Sequence, residues 1–245
     1  KGVVPDAQMF PIEDFGLSSQ LMLGQGVMAR RIADVRAGLR VVAGAHARDP
    51  ISVPVVLDEF PAAKKTRVVV MANPPGGTTH PQIMQAVRNA ADALSNAGHE
   101  VVEGTPPDFE LACQLWSDQM NGELTLQLDL LNMVMGEGGR QFLELTREGM
   151  AEIDFAGWAN AQTQRNGVAR RWSLWFQENP VLICPTWTEP AFVYDNDIKD
   201  VESAMGTLQQ LRAVLPANLL GLPAVVVPGG MADSLPVGVQ VIGSR

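Results

Sequence analysis

The fold is decided by the stretch that begins with Arg67-Val-Val-Val-Met-Ala72, a short β-branched and apolar run typical of a buried strand. Asn73-Pro-Pro-Gly-Gly77 breaks the run, and Pro81 suits the first turn of a helix that we predict to reach Ala97. His99-Glu-Val-Val-Glu103 has the pattern of a second strand. Strand, helix and strand in this order predict a right-handed βαβ unit.

The chain after this unit is predicted to be helical first and then to return to strands. We predict residues 108–179 to be mostly helical. The last of these helices places an apolar stripe on one face: Phe155, Trp158, Ala161, Val168, Trp172 and Trp175. We expect the tryptophans of this stripe to lie in the core. A buried strand follows at Val181-Leu-Ile-Cys-Pro185, and a helix at 202–220.

The last two apolar segments have the pattern of a paired hairpin. They are residues 222–228 and 236–243, with the turn expected at Gly229-Gly230. Together with the strand at Val181-Leu-Ile-Cys-Pro185 they are nearly continuous apolar runs, which is typical of strands covered on both faces.

The chain before the unit is less regular. Residues 1–16 carry several Pro and Gly and are predicted to be loop, and the stretch 49–61 is a connector interrupted by Pro. Between them, apolar residues at spacings of four and three predict a helix over 26–44: Met28, Ile32, Val35, Leu39 and Val42.

The composition and net charge of the chain disfavour several classes of function. The 245 residues are 46% hydrophobic and 18% charged, as in an ordinary soluble globular protein, and the net charge is −9. Such an acidic chain is unsuited to nucleic acid or to anionic membranes, so we expect neither as a partner. No signal peptide or membrane span is visible. Cys113 and Cys184 lack metal or redox spacing, which favours reduced core residues in a cytoplasmic protein.

The search for catalytic motifs is negative. The sequence contains no Gly-x-Ser-x-Gly, no phosphate loop ending in Gly-Lys-Ser/Thr, no Cys-x-x-Cys and no His-Glu-x-x-His, so we expect no cofactor and no metal site. His46, His80 and His99 are scattered after turn-like residues, and we expect them at the surface or at helix starts. The acidic run from Asp195 to Glu202 is interpreted as a solvated loop, because the spacing of a calcium loop is absent.

Three segments in order resemble a known family. Gln25-Gly-Val-Met-Ala-Arg30 is similar to the Gly-Pro-Met-Ala-Arg segment of the amidase-signature family, with Val27 in place of its usual Pro. Asn218-Leu-Leu-Gly-Leu-Pro-Ala-Val-Val-Val-Pro228 resembles the family's Asn-Leu-x-Gly-x-Pro-Ala-x-x-x-Pro. Leu235-Pro-Val-Gly-Val-Gln-Val-Ile-Gly243 resembles its Leu-Pro-x-Gly-x-Gln-x-x-Gly.

The resemblance implies an α/β fold with a mixed central sheet covered by helices on both faces. It also implies that residues 1–245 form one α/β domain, the C-terminal part of a larger amidase domain. Enzymes of this family cleave amides with a Lys, a cis-Ser and a nucleophilic Ser, and all three precede the segment that Lys1-Gly-Val-Val-Pro5 resembles. No catalytic residue is therefore carried over, and we expect the chain to lack the N-terminal catalytic segment and the final helix.

The same resemblance implies a substrate pocket. The end of a family strand borders the acyl pocket, so Pro185, Thr186 and Trp187 are the predicted substrate-binding residues; packing at a strand end explains Thr186 and Trp187 equally well. Asn218 is interpreted as structural. In the family's tRNA-dependent amidotransferases, an Asp that grips glutamine lies seven residues before this Asn, where the present chain has Leu211.

The sequence thus predicts part of an amide hydrolase that acts on a small, less polar amide. The expected partners are that substrate, the missing N-terminal half of the same fold, and a second copy in a homo-oligomer. Three alternatives remain open: a non-catalytic binding or scaffold module, an amidotransferase-like subunit, and a nucleotide binder built on residues 67–103. The last is disfavoured because no Gly-x-Gly-x-x-Gly opens the helix.

Overall fold

The computed structural model describes residues 2–7, 16–55, 57 and 64–244. The chain divides into two compact units, Lys1–Lys64 and Lys65–Arg245. The expectation of one α/β domain over residues 1–245 stays a prediction. No helix in the described ranges is long and apolar enough to cross a bilayer.

In its described residues the first unit contains two helices, α1 (Leu17–Met22) and α2 (Ile32–Val42). The helix predicted over 26–44 was wrong at its start: residues 23–29 have no regular secondary structure, and the helix begins at Ile32. Gly26 disfavours helix at the predicted start. Met28, expected on the apolar stripe, is 98% exposed, and no residue of α2 is buried. Much of the predicted loop at 1–16, and the part of the predicted connector from 58 to 61, lie outside the described residues.

The second unit contains one five-stranded sheet. Its strands are β1 (Arg67–Val70), β2 (Glu100–Glu103), β3 (Val181–Pro185), β4 (Ala224–Ala232) and β5 (Leu235–Gly243). Their order is β2-β1-β3-β5-β4. β1 is parallel to β2 and β3, whereas β5 is antiparallel to β3 and β4. The predicted mixed sheet and α/β class are confirmed.

The helices of this unit follow the predicted order. They are α3 (Pro81–Asn96), α4 (Phe109–Val134), α5 (Glu137–Gly149), α6 (Phe155–Glu178), α7 (Val201–Gln210) and α8 (Leu215–Leu220), with a 3-10 turn at Asn196–Ile198. Trp172 is buried on α6 as expected, whereas Phe155, at the start of the predicted stripe, is 80% exposed. Phe155 is the first residue of α6, where its ring stacks on Trp158.

The centre of the sheet is covered on both faces. Successive side chains of a strand point to opposite faces, and Leu182 and Ile183 of β3 are both fully buried. Ile183 packs with Val87 and other residues of α3. On the face of Leu182, Gln240 of β5 donates to the carbonyl oxygen of Ala213, between α7 and α8.

Two predicted boundaries were wrong. The helix expected over 202–220 is broken between α7 and α8, where Pro216 lies in the first turn of the new helix. The turn expected at Gly229-Gly230 is instead a register shift within β4, and the strand continues to Ala232. The chain turns at Asp233 and Ser234, whose φ values of 48° and 65° suit a tight hairpin.

Among the described residues, the segment 222–228 is not covered on both faces, as expected if part of its cover comes from the missing N-terminal half; that cover stays a prediction. β4 is an edge strand of this sheet, and Val225 and Val226 are 40% and 51% exposed. An edge strand lacks a neighbour on one side, so its apolar side chains lose part of their cover.

Candidate functional site

The candidate site lies where the two parallel central strands end. Because β1 and β3 are parallel, their carboxyl ends lie at the same edge of the sheet, where ligands of open α/β sheets bind. The backbone N–H of His80, which follows β1, donates to the carbonyl oxygen of Thr188, which follows β3, over 2.8 Å. The two loops are therefore joined directly beyond the strand ends.

A cavity of about 370 Å³ opens beside the loop that follows β3. Its apolar wall is built from α3, this loop, β4 and β5, and includes Ile83, Trp187, Phe192, Val226, Pro236 and Val237. The rings of Trp187 and Phe192 lie with their centroids 6.3 Å apart and their planes tilted by 43°. Two aromatic rings and aliphatic side chains make a wall suited to a flat apolar group.

Two polar side chains also line this cavity. The hydroxyl oxygen of Thr186 is buried and finds no hydrogen-bond partner among the described residues. Glu189 contributes its carboxylate. The indole N–H of Trp187 is already used, since it donates to Oε1 of Gln210 over 2.9 Å. The polar groups that remain for a ligand are thus two oxygen groups, the Thr186 hydroxyl and the Glu189 carboxylate.

The three residues predicted to bind substrate occupy two environments. Thr186 and Trp187 lie in the cavity wall, half-buried. Pro185 is buried within β3, where it pairs with Val239 of β5, and does not line the cavity. Thr186 also continues the strand pairing, because its N–H donates to the carbonyl oxygen of Gly238 over 3.2 Å. Strand-end packing and a place in the wall coexist here, and substrate binding stays a prediction.

Arg212 holds the loops around the site. This side chain is only 3% exposed and lies between α7 and α8. It donates to the hydroxyl of Thr188 over 2.9 Å, to the carbonyl oxygen of Thr78 over 2.6 Å and to that of Pro74 over 3.3 Å. Burial lowers the pKa of the guanidinium from its ordinary value. The bonds to carbonyl and hydroxyl oxygens offset part of the cost of burying this charge.

Sequence reasoning missed Arg212, although one signal was present. It is the only charged residue between positions 203 and 232. A single cation in a long and mostly apolar segment indicates a charged side chain that is buried and paired with polar groups. Phe192, Glu189 and Gln210 were also missed, and nothing in their spacing distinguishes them, because only the fold brings them to Trp187.

Leu211 and Asn218 lie apart from the cavity lining. Leu211 is half-buried at the end of α7. Asn218 lies in α8, where its side-chain oxygen accepts from the indole N–H of Trp116 over 2.7 Å, which agrees with the structural role expected for it.

The cysteines of this unit are poor nucleophiles. Burial raises the pKa of both Cys113 and Cys184 to about 12, so each thiol stays protonated near neutral pH. Cys184 is fully buried in β3, where its sulfur accepts from Gln240 over 3.3 Å. Cys113 is half-buried and donates to the carbonyl oxygen of Arg212 over 3.4 Å. Within the described ranges, no group of three His, Cys, Asp or Glu is placed to hold a metal ion.

His80 lies at the start of a helix, and the acidic run from Asp195 to Glu202 lies beside a second cavity and at the start of α7. His80 precedes the first turn of α3, as expected, with its Nε2 atom 3.4 Å from a carboxylate oxygen of Asp233. Asp195 and Asp197 border a second cavity of about 440 Å³, which shares Phe192 with the first. Asp200 caps α7 by accepting from the N–H of Ser203 over 2.8 Å, and this bond lowers the pKa of the Asp200 carboxyl.

Comparison with known proteins identifies the family. The sequence model described as Amidase matches residues 2–245. The chain is 33% identical over 239 residues to an indoleacetamide hydrolase of Bradyrhizobium japonicum, a match that covers 93% of this chain and 49% of that protein. It is 29% identical over 252 residues to a 6-aminohexanoate-cyclic-dimer hydrolase of Paenarthrobacter ureafaciens, covering 89% of this chain and 49% of that protein.

Solved structures agree on the fold. A bacterial aryl acylamidase of the amidase signature family superposes with a TM-score of 0.74 at 20% identity, over 100% of this chain and 53% of that one. The chain spans about half the length of the curated relatives it matches.

Proposed function

The chain belongs to the amidase family, and we propose that it supplies the substrate pocket of an amide hydrolase whose serine nucleophile lies outside these residues. The segments that resemble the family lie after its Lys, cis-Ser and Ser in chain order. The thiols of Cys113 and Cys184 do not replace that serine, because burial holds the pKa of both at about 12. We place the protein in the cytoplasm, where two free cysteines persist.

The cavity beside Trp187 carries this proposal. Its volume of about 370 Å³ is that of a small-molecule pocket. Its wall contains Trp187 and Phe192 and no lysine or arginine among the residues that line it, which suits an uncharged aromatic group better than an acidic one. The proposed substrate is therefore a small aromatic amide, bound with its ring between these side chains and Val226.

The relatives and Leu211 support the same substrate class. A relative at 33% identity is named for indoleacetamide, an amide with an aromatic acyl part. Leu211 stands where the resemblance places the glutamine-binding Asp of the tRNA-dependent amidotransferases. A leucine offers a glutamine substrate no charge, so this resemblance favours an aromatic amide over glutamine. The support comes from the sequence alone, since Leu211 does not line the cavity beside Trp187.

Binding by the full chain tests the pocket. Isothermal titration with indole-3-acetamide is expected to give saturable binding, and glutamine at the same concentrations is expected to give none. Phe192→Ala should weaken indole-3-acetamide binding by roughly tenfold, because an aromatic pair contact and buried area are lost. Phe155→Ala is the matched control, since Phe155 is 80% exposed and does not line the cavity. Equal binding of glutamine would contradict the proposed substrate class.

Catalysis is tested separately. We expect the 245-residue chain alone to hydrolyse no amide above background, because groups that act together lose nearly all rate when their members are absent. Labelling of one of its serines by a fluorophosphonate probe, together with turnover of an aryl amide, would contradict this.

The edge strand β4 is the proposed contact for the rest of the fold. It is nine residues long, and Val225, Val226 and Met231 are 40%, 51% and 59% exposed. An unpaired apolar edge favours pairing with another strand. Since the chain spans about half of its relatives, we propose that strands from the other half of the amidase fold cover this edge.

Sedimentation of the chain tests this contact. We expect association, either as a homo-oligomer or with an added N-terminal half, and Val226→Lys should reduce it. A monodisperse monomer that binds little ANS would contradict the proposal.

A further inference from the structure

We propose that the hydroxyl of Thr186 accepts a hydrogen bond from a donor on the aromatic ring of the substrate. The site would then select rings that carry an N–H or O–H over apolar rings of the same shape. This inference rests on the proposed function and adds to it the polarity of the acyl group.

The unpartnered hydroxyl is the first observation. The hydroxyl oxygen of Thr186 is buried and has no hydrogen-bond partner among the residues that the structure describes, although the side chain lines the cavity. A buried polar group left unpaired costs about 1–3 kcal/mol, so a ligand that pairs it gains affinity. A role limited to strand-end packing does not need this oxygen, because the backbone N–H of Thr186 makes the pairing bond to Gly238.

The hydroxyl of Thr186 is packed against Gly238. A Cβ atom at position 238 would lie 2.9 Å from the hydroxyl oxygen of Thr186 and 2.8 Å from a methyl carbon of Val226. Both of those residues line the cavity, as does Gly238 itself. The missing side chain therefore lets the hydroxyl of Thr186 and the methyl group of Val226 pack against the backbone of Gly238.

The remaining polar groups indicate that the ligand donates. Glu189 adds a carboxylate, which is an acceptor. The side-chain N–H of Trp187 is occupied by Gln210. A ring N–H or O–H is the group that complements two oxygen atoms, whereas a ring acceptor would face the Glu189 carboxylate.

The test compares two amides of equal shape on the full chain. Indole-3-acetamide carries a ring N–H, and benzothiophene-3-acetamide has sulfur at that position. By isothermal titration we expect the indole to bind about tenfold more tightly, the ratio that corresponds to about 1.4 kcal/mol. This comparison needs no variant, so it does not depend on a substituted protein folding.

Variants assign the preference to one oxygen. Thr186→Val should remove it by weakening indole binding about tenfold and leaving benzothiophene binding unchanged or tighter, whereas Thr186→Ser should retain it. Equal binding of the two amides to the unmodified chain would overturn the inference and leave the proposed function intact. A preference that survives Thr186→Val would move the acceptor role to Glu189 and overturn the assignment. Failure of both amides to bind would overturn the proposed function and this inference with it.

Discussion

Arg212 donates a hydrogen bond of 2.9 Å from Nη1 to the hydroxyl oxygen of Thr188. Through it the segment between α7 and α8 is joined to the loop after β3, which carries Thr186 and Trp187. The same guanidinium reaches the carbonyl oxygen of Thr78 in the loop after β1. One buried cation thus connects three segments around the cavity.

Replacing Arg212 is expected to destabilise the protein. Arg212→Met should lower the free energy of unfolding by roughly 3 kcal/mol, because several buried oxygen atoms lose a charged donor. Urea denaturation followed by circular dichroism measures this. Arg88→Met, at an exposed position on α3, is the matched control and should change stability little. If Arg212→Met lowers the free energy of unfolding no more than Arg88→Met does, the hydrogen bonds of Arg212 are not needed for stability.

A side chain at position 238 is expected to displace two residues of the cavity wall. Gly238→Ala places a methyl group within 3 Å of both Thr186 and Val226, so aromatic amides should bind at least tenfold more weakly. Titration calorimetry measures the affinity. Gly206→Ala on α7 is the control, since a Cβ there meets nothing within 4 Å and should leave binding unchanged. Unchanged binding after Gly238→Ala would place the ligand elsewhere.

The thiol of Cys184 is expected to resist alkylation in the folded protein. Burial raises its pKa from 9.0 to about 12, so the thiolate is scarce at pH 8. In Cys113→Ser, iodoacetamide at pH 8 should label position 184 only after denaturation, as measured by mass spectrometry. The raised pKa also makes the stability of the protein depend on pH. The contribution of the protonated Cys184 thiol to the free energy of unfolding is complete below pH 9 and is lost as the pH rises from 9 towards 12. Rapid labelling of the native protein would contradict the burial.

Leu211→Asp is expected to shift preference towards polar amides. If the leucine reports the substrate class, a carboxylate at this position should raise glutamine affinity relative to indole-3-acetamide, measured by titration. Leu211→Asn keeps a similar size without the charge and separates charge from shape. Because Leu211 does not line the cavity, an unchanged ratio would show that this position does not determine specificity.

The local sequence pattern was sufficient to predict most of the helices and strands of the second unit. The strand at Val181–Pro185 followed from an apolar run after a proline, and α3 followed from its period and from Pro81. The hairpin turn was misplaced because a Gly-Gly pair suits a bulge as well as a turn. The pair at Asp233 and Ser234 gave a weaker signal, although the structure shows that their backbone turns the chain.

The site was only partly predictable, because its contacts are distant in sequence. Thr186 and Trp187 were found through a resemblance at one strand end. Arg212 reaches Pro74 across 138 residues, and its partners are mostly backbone oxygens, which leave no trace in residue type. The break between α7 and α8 differs, because Pro216 is a local signal for the start of a new helix and was not used.

Because β5 lies between β3 and β4 in the sheet, β3 cannot complete its strand pairing until β5 has been synthesised. β3 is made well before β5, and a ribosome adds about 5–20 residues per second, so one side of β3 stays unpaired for roughly a few seconds. During that time the backbone edge of β3 that later pairs with β5 is open to other nascent chains. The pocket itself does not exist until Gly238 has emerged. We therefore expect yield in a host cell to depend on chaperone capacity during that interval.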